Sequence, residues 1–179
     1  MHEKLRRIKL LLMDVDGVLT DGRFYYTDDG REFKAFDVKD GFAIRLAGLA
    51  GLKFGIITGK MSTIVERRAE ELRIGEVHQG YFNKLDVYRD IIDRLKLFDT
   101  EVAYIGDDLF DLGVMKKVGF SACPADAVDE VRESADYIAS REGGRGAVRE
   151  VIEMILKAHG KWDSLVNDFL SGRMKLPAQ

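Results

Sequence analysis

Residues 8–18 read IKLLLMDVDGV, an apolar run from Ile8 to Met13 that stops at Asp14 and Asp16. A short continuous apolar run suits a strand covered on both faces, as in a parallel sheet. The two aspartates then fall at the strand's carboxyl end, where open α/β sheets bind their ligands. Side chains of an extended strand end alternate with period two, so both carboxylates are expected to point the same way.

Working outward, the same arrangement recurs. Lys53 to Ile57 reads as a second strand and is followed by Thr58-Gly59. Val102 to Ile105 reads as a third, followed by Gly106-Asp107-Asp108-Leu109-Phe110-Asp111. Helices are expected over Asp40 to Leu49, Thr63 to Leu72, Lys84 to Leu95, around Leu109 to Lys117, and from Gly146 onward. Thr63 and Glu66 stand at capping-box spacing. Tyr88, Ile91, Ile92 and Leu95 make an apolar stripe at helical spacing. Short strands follow at Phe120 to Ala122 and Tyr137 to Ile138. Strands alternating with helices predict a three-layer, doubly wound parallel sheet with right-handed crossovers.

Two insertions interrupt this plan. Phe24 to Phe36 places five aromatics around the turn Asp28-Asp29-Gly30 and reads as a β-hairpin flap. The 25 residues between Thr58 and Lys84 are consumed by one helix and one strand, so no cap domain fits. Residues 1–160 are expected to form one domain. Residues 161–179 are expected to add an amphipathic helix and a tail, packed on that domain or on a neighbouring subunit.

Composition narrows the function. The 179 residues are 46% hydrophobic and 33% charged, with a net charge of −3. That balance is globular, and it offers no electrostatic footprint for nucleic acid or an anionic membrane. The apolar run after the basic residues at the N-terminus is too short for a signal-peptide core, and none approaches the ~20 residues of a membrane span. One cysteine, Cys123, excludes an internal disulfide and suits a reducing, cytoplasmic compartment.

The chemistry-bearing residues all follow apolar strands, apart from Lys84, which opens a helix. Each signal alone is weak, since Asp-x-Asp pairs are usually turns and Thr-Gly usually a loop. Together, aspartates converging from two strands need a cation to neutralise them, and hard oxygen ligands suit Mg²⁺. Such a site, with a hydroxyl and a lysine beside it, suits phosphoryl transfer. One aspartate can attack phosphorus, while a second protonates the leaving alcohol and then activates water.

At this point the chain resembles the haloacid dehalogenase superfamily of phosphohydrolases. The resemblance runs from about Ile8 to Leu156 and includes four motifs: DVDGV, the Thr58 loop, Lys84 and the GDD acids. It implies that Asp14 is the nucleophile and Asp16 the general acid/base. It further implies that Thr58, Gly59 and Lys84 bind phosphate, and that Asp14, Asp16 (through its backbone carbonyl) and Asp107 hold Mg²⁺, with Asp108 and Asp111 in support. VDGVLTDG, VKDGFAIRL, ITGK, NKL, YIGDDLFD and GGRGAVREV are similar to the capless branch acting on 3-deoxy-D-manno-octulosonate 8-phosphate. These phosphatases are homotetramers whose neighbours close each active site, and the aromatic hairpin is the candidate contact here.

One departure concerns specificity. That branch generally reads ITGR, whereas Lys60 stands here, and lysine offers a carboxylate only a point charge. A nonulosonate 9-phosphate therefore stays open as the substrate. Lys60, Arg145, Lys39 and Asp40 are the candidate substrate contacts. Rival readings are a receiver domain, a phosphomutase of the same superfamily, and a catalytically silent oligomerisation module.

Overall fold

The structure, a computed structural model, describes residues 1–174. In chain order its helices are α1 (His2–Arg6), α2 (Val38–Leu49), α3 (Thr63–Leu72), α4 (Lys84–Leu95), α5 (Leu112–Met115), α6 (Asp129–Ser134), α7 (Ala147–Ala158) and α8 (Trp162–Leu170). The strands are β1 (Leu10–Met13), β2 (Tyr25–Tyr26), β3 (Glu32–Phe33), β4 (Lys53–Thr58), β5 (Glu76–Gln79), β6 (Val102–Ile105), β7 (Phe120–Cys123) and β8 (Tyr137–Ile138).

Six strands form one sheet in the order β5-β4-β1-β6-β7-β8, and every pairing in it is parallel. β1 is therefore central, with β4 and β6 on either side. The chain winds outward to one edge, then returns across β1 to build the other. The carboxyl end of β1 is thus the switch point, where crossovers leave in opposite directions and open a crevice.

All four β1 residues are fully buried, and their alternation divides the core. Leu11 and Met13 join one apolar cluster with Ile44 of α2 and Val151 and Ile155 of α7. Leu10 and Leu12 join another with Val87, Tyr88 and Ile91 of α4. Each such side chain contributes roughly 1.5–3 kcal/mol of transfer free energy. The three-layer α/β sandwich expected from the strand–helix alternation is the architecture found.

Local expectations mostly hold, with instructive exceptions. The Thr63–Glu66 capping box does not form. Ser62 is the N-cap, without a side-chain cap bond. Gln79 of β5 serves the helix start instead, accepting from Ser62 N at 2.8 Å and donating to Glu66 at 3.2 Å. The segment Leu109 to Lys117 splits into a 3₁₀ turn, Leu109–Asp111, and the short α5. α8 packs on its own domain: Leu165 is buried, and Phe169 meets Phe42 of α2 edge-on at 5.2 Å. The end of the expected C-terminal tail, residues 175–179, lies outside the described residues. Among the described residues no helix is long and apolar enough to cross a membrane.

Candidate active site

Parallel register brings the three post-strand clusters to one edge of the sheet. There Asp14, Asp16, Thr58, Gly59, Asp107 and Asp108 line a cavity of about 650 Å³. Lys84, the first residue of α4, enters from below. Its side chain is fully buried, with Nζ 2.8 Å from Asp14 Oδ2 and 2.7 Å from Asp111 Oδ1. A lysine at a helix start is ordinarily solvated, so tertiary packing decides its role.

Asp14 receives Val15 N–H on Oδ1 at 2.7 Å. Asp16 reaches the cavity by a different route from the one expected. β1 ends at Met13, and Asp16 sits in a turn rather than on an extended strand end. The Val15 carbonyl accepts from the N–H groups of Val18, Leu19 and Thr20 at 3.2, 2.9 and 3.1 Å. Gly17 takes the left-handed φ of +87° that this turn demands. The period-two argument therefore fails, although both aspartates face one cavity. Gly143 and Gly144 press against the turn from the far side, Gly144 N–H donating to Val18 O at 2.9 Å. A Cβ on Gly143 would collide with Gly17 O.

Asp111 is fully buried and holds the floor together. Its Oδ1 accepts from Lys84 and, at 2.6 Å, from the Tyr104 hydroxyl. Its Oδ2 accepts from Asp107 N and Asp108 N at 3.0 and 3.2 Å.

Oxygen atoms of Asp14, Asp107 and Asp111 lie within 4.8 Å of one another. Three carboxylates thus face one ammonium. Burial first, then the charge of Asp111, pushes the Asp14 carboxyl up to about 7 despite Lys84. Burial, then Asp14 and Asp111, pushes Asp107 up to about 8. Asp107 Oδ1 is buried without a hydrogen-bond partner. This crowding and the orphaned oxygen fit a divalent cation, with Asp14 and Asp107 as its carboxylate ligands. Asp111 already spends its oxygens on four donors, so it orients the others. The Asp16 carboxylate is not part of the cluster, which leaves its backbone carbonyl as the ligand implied by the family.

The hairpin β2–β3, paired Tyr25 to Phe33, forms the rim. The side chain of Lys34, just after it, is buried and forms an ion pair with Asp16. Sequence reasoning missed Lys34, because a lysine beside exposed aromatics carries no local sign of burial. It also missed Tyr104, read only as part of an apolar strand, and the buttressing glycines, whose partners Gly17 and Val18 are distant in sequence. Lys60 lines the cavity beside the hairpin.

The remaining expected contacts lie elsewhere. Lys39 and Arg145 line a separate hollow with Asp21 and Asp37, and Arg145 pairs with Glu142 at 3.3 Å. Asp40 is 1% exposed and accepts from Gly146 N and Arg149 N at 3.2 and 2.7 Å, anchoring the start of α7. It is a structural cap rather than a residue of the Asp14 cavity.

Residues 55–152 match the haloacid dehalogenase-like hydrolase family. Over 160 residues, covering 89% of this chain and 85% of the relative, the chain is 46% identical to the 3-deoxy-D-manno-octulosonate 8-phosphate phosphatase of Escherichia coli K12. The chain belongs to the haloacid dehalogenase-like hydrolases. Solved members superpose closely. The octulosonate 8-phosphate phosphatase of Moraxella catarrhalis, solved with magnesium, phosphate and KDO, has a TM-score of 0.92 at 41% identity, covering 94% of this chain and 97% of that one. The cobalt-bound enzyme of Haemophilus influenzae has a TM-score of 0.89 at 37% identity, covering 96% and 99%. The superfamily reached from the four motifs is the one found.

Proposed function

We propose that this haloacid dehalogenase-like hydrolase is a Mg²⁺-dependent phosphatase that releases phosphate from 3-deoxy-D-manno-octulosonate 8-phosphate. The observation that carries it is the Asp14 carboxylate at the cavity floor, beside Lys84 and Asp107. The 46% identity to a phosphatase of that name supports the substrate.

Asp14 attacks phosphorus and forms an aspartyl-phosphate while the sugar's O8 leaves. Asp16 gives that oxygen its proton, then takes one from the water that cleaves the acyl-phosphate. Thr58, Gly59 and Lys84 hold the phosphoryl oxygens, and Lys84 keeps Asp14 aimed. Asp107 holds the metal with Asp14, and Asp108 and Asp111 orient that pair. Bound Mg²⁺ neutralises the crowded carboxylates and the phosphoryl oxygens. Lys60 faces the sugar end of the cavity, where a cation suits a carboxylate. Phe24, Phe82 and Phe110 are exposed around the mouth, which supports a homotetramer whose neighbours cover the site. A single buried thiol suits a cytoplasmic enzyme.

The test is phosphate release from a panel of sugar phosphates with and without Mg²⁺. Octulosonate 8-phosphate should be hydrolysed fastest, chelation should stop turnover, and Asp14→Asn should lose at least ~10³-fold in kcat while staying folded. Equal rates across the panel would remove the substrate assignment. Full activity in the Asn variant would remove the nucleophile.

A further inference from the structure

Lys60 is the cation placed to meet the substrate's carboxylate, yet the flap already occupies it. Its Nζ lies 2.8 Å from Glu32 Oε2 and 3.2 Å from the Tyr26 hydroxyl. The Phe24 ring centroid is 4.0 Å away. Glu32 is also 3.5 Å from Lys34 through Oε1, and that oxygen is buried without a hydrogen-bond partner. Asp16, Lys34, Glu32 and Lys60 thus form a chain of two acids and two bases with no net charge. Among the described residues that line the cavity, the one cation, Lys60, is therefore already paired.

We propose that Glu32 is a specificity-determining residue that stands in for the substrate carboxylate on Lys60 and is displaced when the carboxylate binds. The proposal rests on the reading of a carboxylated sugar phosphate as substrate. Three features support the exchange. Glu32 and the substrate offer Lys60 the same group, so the new ion pair replaces the old one. Glu32 belongs to a hairpin whose strands are two residues each, so it can swing out without breaking the main sheet. Glu32 Oε1 has only the long 3.5 Å ion pair with Lys34, while the Lys60 hydrogen bond holds its carboxyl below the usual range and so ionised. A sugar phosphate without a carboxylate cannot replace Glu32 on Lys60, so the flap discriminates against ligands lacking the second anion.

Steady-state kinetics at saturating Mg²⁺ test this, with octulosonate 8-phosphate and a pentose 5-phosphate that has no carboxylate. Removing the competitor in Glu32→Gln should lower KM for the carboxylated substrate roughly three- to tenfold, the scale of one partly exposed charged pair. KM for the pentose phosphate should not move. In a Lys60→Gln background the Glu32→Gln gain should vanish. An unchanged or raised KM for the carboxylated substrate, an equal fall for both substrates, or a gain that survives without Lys60 would overturn the proposal. Should Glu32→Gln fail to fold, Glu32→Asp supplies the readout: its shorter reach should lower the same KM in the same selective way, and no selective change overturns the exchange. If the parent enzyme shows no preference for the carboxylated substrate, the substrate reading fails along with the exchange. A retained preference without the Glu32 effect overturns the exchange alone.

Discussion

The cavity floor and its flap both rest on lysine–carboxylate pairs, but they are different kinds of structure. On the floor, Lys84 is fully buried between Asp14, which follows β1, and Asp111, which closes the 3₁₀ turn after β6. Parallel neighbours lock those ends in register, and Tyr104 and backbone N–H groups complete the donors. At the flap, Lys34 is buried against Asp16, but the pair of Lys60, after β4, with Glu32 of the hairpin is 32% and 20% exposed, and that hairpin pairs only with itself. Buried pairs cost much when one partner is removed, whereas exposed pairs contribute little. The floor therefore suits chemistry that cannot tolerate motion, and the flap suits exchange with a ligand.

The sharpest way to break this contrast is Lys84→Met. It strands two buried carboxylates and should cost about 3–5 kcal/mol of folding stability, read by urea unfolding at neutral pH. A loss under ~1 kcal/mol would put the floor pair in the same class as the flap.

Asp40, the buried cap at the start of α7, gives the next effect. Burial, against the opposing Arg149 N–H bond, raises its carboxyl from 3.8 to about 6. Because the folded value is raised, its stabilising contribution is complete below about pH 4 and is lost as pH rises through about 6. The stability of the parent minus that of Asp40→Asn should therefore fall by about 3 kcal/mol from pH 4 to pH 7, two pKa units at ~1.4 kcal/mol each. Paired denaturation curves check this, and a pH-independent difference would mean that Asp40 is solvated.

The smallest effect on the protomer belongs to the flap. Phe33 stacks on Tyr25 at 5.1 Å and is 52% exposed. Phe33→Asp should change protomer stability by less than ~1 kcal/mol, while, if the proposed tetramer forms through the flap, sedimentation shifts to smaller species. A monomeric parent would remove the flap's role as a subunit contact.

How much of this was legible beforehand varies by residue. Met13 to Asp14, Thr58 to Gly59 and Ile105 to Asp107 were readable because an apolar run ending in polar residues is a local signal, and parallel winding carries those ends to one edge. The roles of Lys34 and Tyr104 were not, because the ion pair with Asp16 and the hydrogen bond to Asp111 depend on approaches that no local pattern encodes. Asp40 looked like a substrate contact because it follows the flap in sequence, and Arg145 because its GGRG stretch could reach across a subunit boundary. In the fold, α2 turns Asp40 inward to α7, and the glycines before Arg145 brace the Gly17 turn while its side chain faces another hollow.

By itself, the sequence determined the alternation of strands and helices, the family, and which carboxylates stand after which strands. These are matters of periodicity and order along one chain. Only the tertiary structure decided which charges are buried against which: that Lys84 bridges Asp14 and Asp111, that Asp16 leaves the strand and meets Lys34, and that Glu32 holds Lys60. Pairing energies depend on distance and desolvation in three dimensions, and neither is written in the spacing of residues.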